Sequence, residues 1–174
     1  IKVLCEGRDS EISVDMINPE HEGMIIIGGS FISLAAYKKA LEHKVAGIVV
    51  GGFNYYDLEE ILGYVLGVAI TGSENLHTSL IVTEGYGRIQ MGQQTFDLLK
   101  ENSGRLASIN GATQIRAGVI RPEIIIISYA GEGSVDKKDA KKAGGMTDGS
   151  LVRVISSPKF GKIGTVKDMS LIHI

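Results

Sequence analysis

An α/β fold built on a mostly parallel sheet with flanking helices is the class that the sequence predicts, and three observations predict it. Short β-branched apolar segments recur along residues 1–131, each ends at glycine, and each is followed by a helix-compatible stretch. A strand covered on both faces reads as an unbroken apolar run, and a helical return between two such runs is the βαβ unit.

At 24–27 the run Met-Ile-Ile-Ile is too short for a helix and stops at Gly28, Gly29 and Ser30, which reads as a buried parallel strand. Over 31–44, Leu34, Tyr37 and Leu41 share one helical face while Lys38, Lys39 and Glu42 fall elsewhere, with Ser30 or Ser33 as the cap. The cycle repeats where Gly-Ile-Val-Val at 47–50 runs into Gly51 and Gly52. Residues 56–62 then set Leu58, Ile61 and Leu62 on one helical face, behind Asn54 or Asp57. A third apolar segment at 68–70 ends at Thr71 and Gly72, and a fourth at 80–82 ends at Thr83, Glu84 and Gly85. Residues 92–102 form a helix with Phe96 and Leu99 inward. Residues 106–109 and 123–128 are strand-like, the latter holding consecutive isoleucines with Pro122 at its start. Right-handed crossovers would assemble these units into a Rossmann-like sheet. Glycines and lysines crowd 132–149, a linker or exposed loop with room for one short helix at 136–143. Strands at 151–155 and 162–167 flank a turn at 156–159.

Composition excludes several classes. The chain has 174 residues, 44% of them hydrophobic, enough to bury roughly 70% of its unfolded surface without a disulfide or metal staple. Cys5 is the sole cysteine, so there is no disulfide framework, and a reducing, cytoplasmic setting is expected. No apolar run approaches the roughly 18 residues of a membrane span, so no membrane partner is expected. The first residues lack the pattern of a signal peptide, and the absence of an initial Met reads as a trimmed fragment. Charge is split, with 10 basic and 15 acidic side chains over 1–131 against 8 and 5 over 132–174. Only the second part would attract an anion such as RNA.

The first candidate site is the row of segment ends: Gly28, Gly29 and Ser30; Gly51 and Gly52; Thr71, Gly72 and Ser73; Glu84, Gly85, Tyr86 and Gly87 and, beyond them, Arg88. In an open α/β sheet, ligands collect at the carboxyl ends of the strands, where glycine admits a ligand to the backbone and helix amino termini favour phosphate or carboxylate. The same glycines also serve plain tight turns. The second candidate is the polar stretch 108–118, where Asn110, Thr113 and Arg116, with Arg88 and Arg121, would offer donors to a small anionic ligand. Glu84 is the best-placed carboxylate for acid–base work.

Other motifs fail. Gly85-Tyr86-Gly87-Arg88-Ile89-Gln90 lacks the third glycine of a dinucleotide fingerprint, and Gly161-Lys162 lacks the Walker spacing. Ser30 has Ile32 where a nucleophile elbow carries glycine. His21, His43, His77 and His173 show no metal-ligand spacing, so no metal is expected and no cofactor is indicated.

The tail 152–166, Val-Arg-Val-Ile-Ser-Ser-Pro-Lys-Phe-Gly-Lys-Ile-Gly-Thr-Val, resembles the KOW motif of ribosomal proteins and transcription elongation factors. The resemblance implies an incomplete SH3-like β-barrel element over 150–174 that contacts RNA or protein through Arg153, Lys159, Phe160 and Lys162. Four stretches extend the likeness: Gly-Ile-Val-Val-Gly-Gly at 47–52, Leu-Gly-Val-Ala-Ile-Thr-Gly at 66–72, Thr-Glu-Gly-Tyr-Gly at 83–87 and the run 108–123. With these, the chain resembles an uncharacterised prokaryotic family that couples a Rossmann-like α/β region to a KOW element. The expected function is a binding module, with a small anionic ligand at the glycine-rich segment ends and a KOW-like arm for a partner. The alternative is an enzyme on a small anionic substrate with Glu84 as acid or base. Oligomeric state is left open.

Overall fold

The computed structural model describes residues 1–62, 70–71, 77–114, 119–127, 147–154, 159 and 162–167. The chain divides into two units, Ile1–Ile127 and Ser128–Ile174.

The first unit is built on parallel strands. β1 (Lys2–Val3) and β2 (Glu11–Ile12) are two-residue strands, β3 (Ile25–Ile27) and β4 (Phe31–Ile32) come after them, and β5 (Gly47–Phe53) is the long central strand. α1 (Leu34–Glu42) and α2 (Tyr55–Leu62) flank β5 in sequence, β6 (Ile70–Thr71) comes next, and β7 (Ser79–Tyr86) closes the sheet. β7 runs along one side of β5. β3 and β4 share the other side, pairing Ile25 with Gly47 and Phe31 with Gly52. The bonds Gly28 N–H to Val49 O and Gly51 N–H to Gly29 O carry the pairing between them. Residues 25–32 are therefore one interrupted strand. β1 and β2 pair with β3 and β4 on the far side.

Period-two alternation assigns the two faces. Ile26, Ile48 and Val50 pack with Ala36, Tyr37 and Ala40 of α1 and with Leu58 and Ile61 of α2. Ile25, Ile27, Val49 and Ile81 face the other way. They pack with Phe96 and Leu99 of α3 (Gln93–Glu101) and with Ile109, Ile124 and Ile126 of a ribbon formed by β8 (Ala107–Asn110) and β10 (Glu123–Ile126). The α/β class and its mostly parallel sheet are thus as the sequence predicts. The described parallel strands lie side by side in chain order with α1 and α2 on one face, so among them no reversal of strand order creates a crevice.

Several boundaries differ from expectation for physical reasons. Phe31 and Ile32 belong to β4, and α1 starts only after Ser33, whose Oγ accepts from Ala36 N–H at 3.3 Å. Ser30 is not the cap, since its hydroxyl donates to Asp9 O at 2.7 Å. Asn54, not Asp57, serves α2, with Oδ1 accepting from Tyr56 N–H at 3.2 Å. β6 leaves the parallel sheet and pairs antiparallel with β9 (Thr113–Gln114), setting Thr71 opposite Thr113. β8 and β10 are antiparallel too, with Asn110 opposite Glu123. No described helix is long and apolar enough to cross a membrane.

In the second unit, β11 (Leu151–Arg153) and β12 (Ile163–Thr165) form an antiparallel ribbon, with Arg153 opposite Ile163. Val154 N–H donates to Lys162 O at 2.9 Å, and Lys162 N–H to Lys159 O at 3.1 Å. The barrel expected over 150–174 is represented among the described residues by this one ribbon; residues 156–158 of the expected turn, and Phe160, lie outside them.

Candidate functional site

The glycines singled out in the sequence are placed where backbone meets backbone. Gly51 and Gly52 lie inside β5, not in the turn after it, and both are buried. A Cβ on Gly51 would collide with Ile89 O, and one on Gly52 with Gly87 O, because residues 87–91 cross directly over β5. Gly28 and Gly29 interrupt the strand at 25–32 in the same way. A Cβ on Gly28 would stand 2.6 Å from Ile12 Cγ1, and one on Gly29 would meet the carbonyl oxygens of Gly7 and Ser10. Ser30 completes that contact by fastening residues 9–10. The missing side chains admit the protein's own chain, which fills the space assigned to a ligand.

Glu84 and Gly85 are within β7 rather than beyond it. The Glu84 carboxylate is half-buried and accepts from Gly92 N–H at 2.7 Å and from Thr83 Oγ1 at 3.3 Å. Gly92 is the N-cap position of α3 and brings no side chain of its own, so Glu84 supplies the anion that the first turn favours. Gly85 and Gly87 have φ of +145° and +103°, which lets the chain fold back after the strand.

At the carboxyl ends of β4, β5 and β7 the structure gathers a different set. Tyr86 is 54% exposed and Tyr56 is 77% exposed. Tyr55 stands between them, its ring edge-on to Tyr86 at 5.1 Å and to Tyr56 at 5.9 Å. Tyr86 is paired in register with Phe53, and Phe53 stacks on Phe31 at 6.4 Å. Arg88 lies 4.5 Å over the Phe31 ring and forms an ion pair with Glu11. Cation–π contact and ion pairing hold the guanidinium at the edge, where much of it still meets solvent. Arg8 adds a bond from Nη1 to Met91 O at 3.3 Å, tying residues 4–10 to the crossing segment.

Searches of family models, curated proteins and solved structures returned no match.

Of the expected ligand residues, the structure brings Arg88 to this rim and places Thr71 opposite Thr113 in a separate pair of strands. Asn110 is at the exposed end of β8, and Arg121 is exposed. Gly72, Ser73 and Arg116 lie outside the described residues, so the convergence of the 108–118 donors is not on view. Arg153 is exposed at the end of β11, and Lys159 and Lys162 are exposed ahead of β12. Sequence reasoning placed Tyr86 among the segment ends without a role for its ring and did not single out Tyr55 or Tyr56. Their signal was present, since Tyr55 and Tyr56 follow the apolar strand at 47–53 and Tyr86 follows the apolar run at 80–82, where a large ring has little core to join.

Buried polar groups elsewhere are structural. His21 Nδ1 accepts from Asn18 N–H at 3.1 Å, and Thr78 Oγ1 donates to Val45 O at 2.7 Å. Burial pushes the Cys5 thiol up, with a backbone bond from Gly29 partly offsetting it. That favours the thiol over the reactive thiolate. Among the described residues, no three His, Cys, Asp or Glu side chains gather as a metal site would need.

Proposed function

We propose that the protein is a binding module whose small anionic ligand is taken at the rim formed by Tyr55, Tyr86, Arg88 and Glu11, with the KOW-like ribbon as a second, basic contact for a partner. One observation carries this reading: the exposed Tyr86 ring, with Tyr55 edge-on to it, and the largely exposed Arg88 guanidinium over Phe31 both lie at the carboxyl ends of β4, β5 and β7. A planar ligand can stack on Tyr86 while its anionic group takes the face of Arg88 now held by Glu11. The glycines have no ligand-facing role in this reading and act by fixing residues 87–91 over β5. The enzyme alternative is less well supported, because the Glu84 carboxylate is engaged with Gly92 N–H at the start of α3.

Thermal-shift screening with nucleotides, sugar phosphates and carboxylates tests the rim directly, since a ligand that favours the native state raises the midpoint. A stabilising compound should lose its effect in Tyr86→Ala and Arg88→Ala while Lys162→Ala keeps it. A shift that survives both rim substitutions overturns the assignment.

A further inference from the structure

We propose that Asn110 is a site of spontaneous deamidation, the reacting pair being its side-chain carbonyl carbon and the backbone nitrogen of Gly111. The five asparagines differ in their C-terminal neighbours, and Asn110 alone precedes glycine. Asn18 is followed by Pro19, which has no N–H to lose. Asn54 Oδ1 accepts from its i+2 N–H, that of Tyr56, as Asn110 Oδ1 does from Ala112, but Asn54 precedes the bulky Tyr55 and its leaving Nδ2 is held by Asp57 Oδ1 at 3.0 Å. Asn102 Nδ2 is held by Leu98 O at 2.7 Å. Asn75 precedes Leu76, a bulky neighbour, and lies outside the described residues.

Asn110 is exposed, and its Oδ1 accepts from Ala112 N–H at 3.0 Å. The ring closed by that bond contains both Asn110 Cγ and the Gly111 nitrogen, so the two reacting atoms are held in one small cycle. The bond also draws electron density from Cγ. In the reaction the Gly111 nitrogen forms a bond to Cγ and gives up its proton, the bond from Cγ to Nδ2 breaks, and ammonia leaves a cyclic imide. Solvent water then opens the imide at either carbonyl, producing aspartate or isoaspartate without oxidant or reductant.

The position gives the change a consequence. Asn110 pairs directly with Glu123 across the ribbon, and the new carboxylate would face a like charge. Gly111 also permits a clean control. A Cβ there would meet nothing nearer than Leu80 O at 3.4 Å, so Gly111→Ala fits the fold while crowding the attacking nitrogen.

The test incubates the folded full chain at mildly alkaline pH and follows the peptide containing residue 110 by mass spectrometry and isoaspartate detection. Aspartate and isoaspartate should accumulate at 110 ahead of the other asparagines, and about tenfold more slowly in Gly111→Ala. No change at 110 in the folded chain, or an equal rate in Gly111→Ala, overturns the proposal. Asn110→Asp should lower Tm, and Glu123→Gln should restore it; the loss should persist in Glu123→Gln if charge is irrelevant, which overturns the stated consequence.

Discussion

Tyr37 is wholly buried on α1, its ring 5.9 Å from Phe53 and its hydroxyl donating to Thr78 O at 3.4 Å. Burial pushes its pKa from 10.0 up to about 12, because the phenolate would be stranded in an apolar layer. A folded value above the unfolded one means that the contribution to stability is whole below pH 10 and is lost as pH rises toward 12. Two units correspond to about 3 kcal/mol. In urea melts across that range, Tyr37→Phe should lose stability less steeply than the parent, and at neutral pH it should cost about 1 kcal/mol for the hydrogen bond. Parallel alkaline limbs in the two proteins would refute it. The same reasoning separates two polar residues that look alike in sequence. Ser30 and Ser33 both precede a helical stretch, yet only Ser33 has a free first turn ahead of it, while Ser30 is spent on Asp9 O.

At the scale of elements, the central prediction concerns the crossing of residues 87–91 over β5. Gly52→Ala drives a methyl into Gly87 O, a backbone atom that can move only with its whole segment. It should cost about 3 kcal/mol or more. Gly111→Ala, with ordinary contact distances, should stay within about 0.5 kcal/mol. Equal losses by chemical denaturation would mean that the crossing is not what these glycines serve. The contrast also explains what the sequence could convey. The strands Ile25–Ile27 and Gly47–Phe53 and the faces of α1 and α3 were legible because β-branching and periodicity are local properties. The use of Gly28, Gly29, Gly51 and Gly52 was not, because a ligand and a neighbouring backbone ask the same thing of a residue, the absence of a Cβ. β1 and β2, at two residues each, are too short for any period to register, yet Ile12 is what closes over Gly28. Glu84 was misplaced because Thr-Glu-Gly-Tyr breaks the apolar run at which β7 was expected to end.

For the whole molecule, the governing quantity is the uneven charge. Residues 1–131 carry 10 basic against 15 acidic side chains and residues 132–174 carry 8 against 5, so the proposed contact with an anionic polymer would fall to the second part. The exposed Arg153, Lys159 and Lys162 lie on or beside the second unit's ribbon, with Lys162 bonded through its backbone to both Lys159 and Val154. If the ribbon binds RNA as proposed, each phosphate that one of these cations neutralises would release a counterion. For single-stranded RNA the slope of log affinity against log salt is about −0.7 per contact. Removing two cations with Lys159→Ala and Lys162→Ala should therefore make the slope shallower by about 1.4 if both touch phosphate. The same pair should leave any small-ligand thermal shift at the Tyr86 and Arg88 rim unchanged. A slope unaltered by the double substitution would remove RNA from the ribbon and leave a protein partner as the reading to pursue.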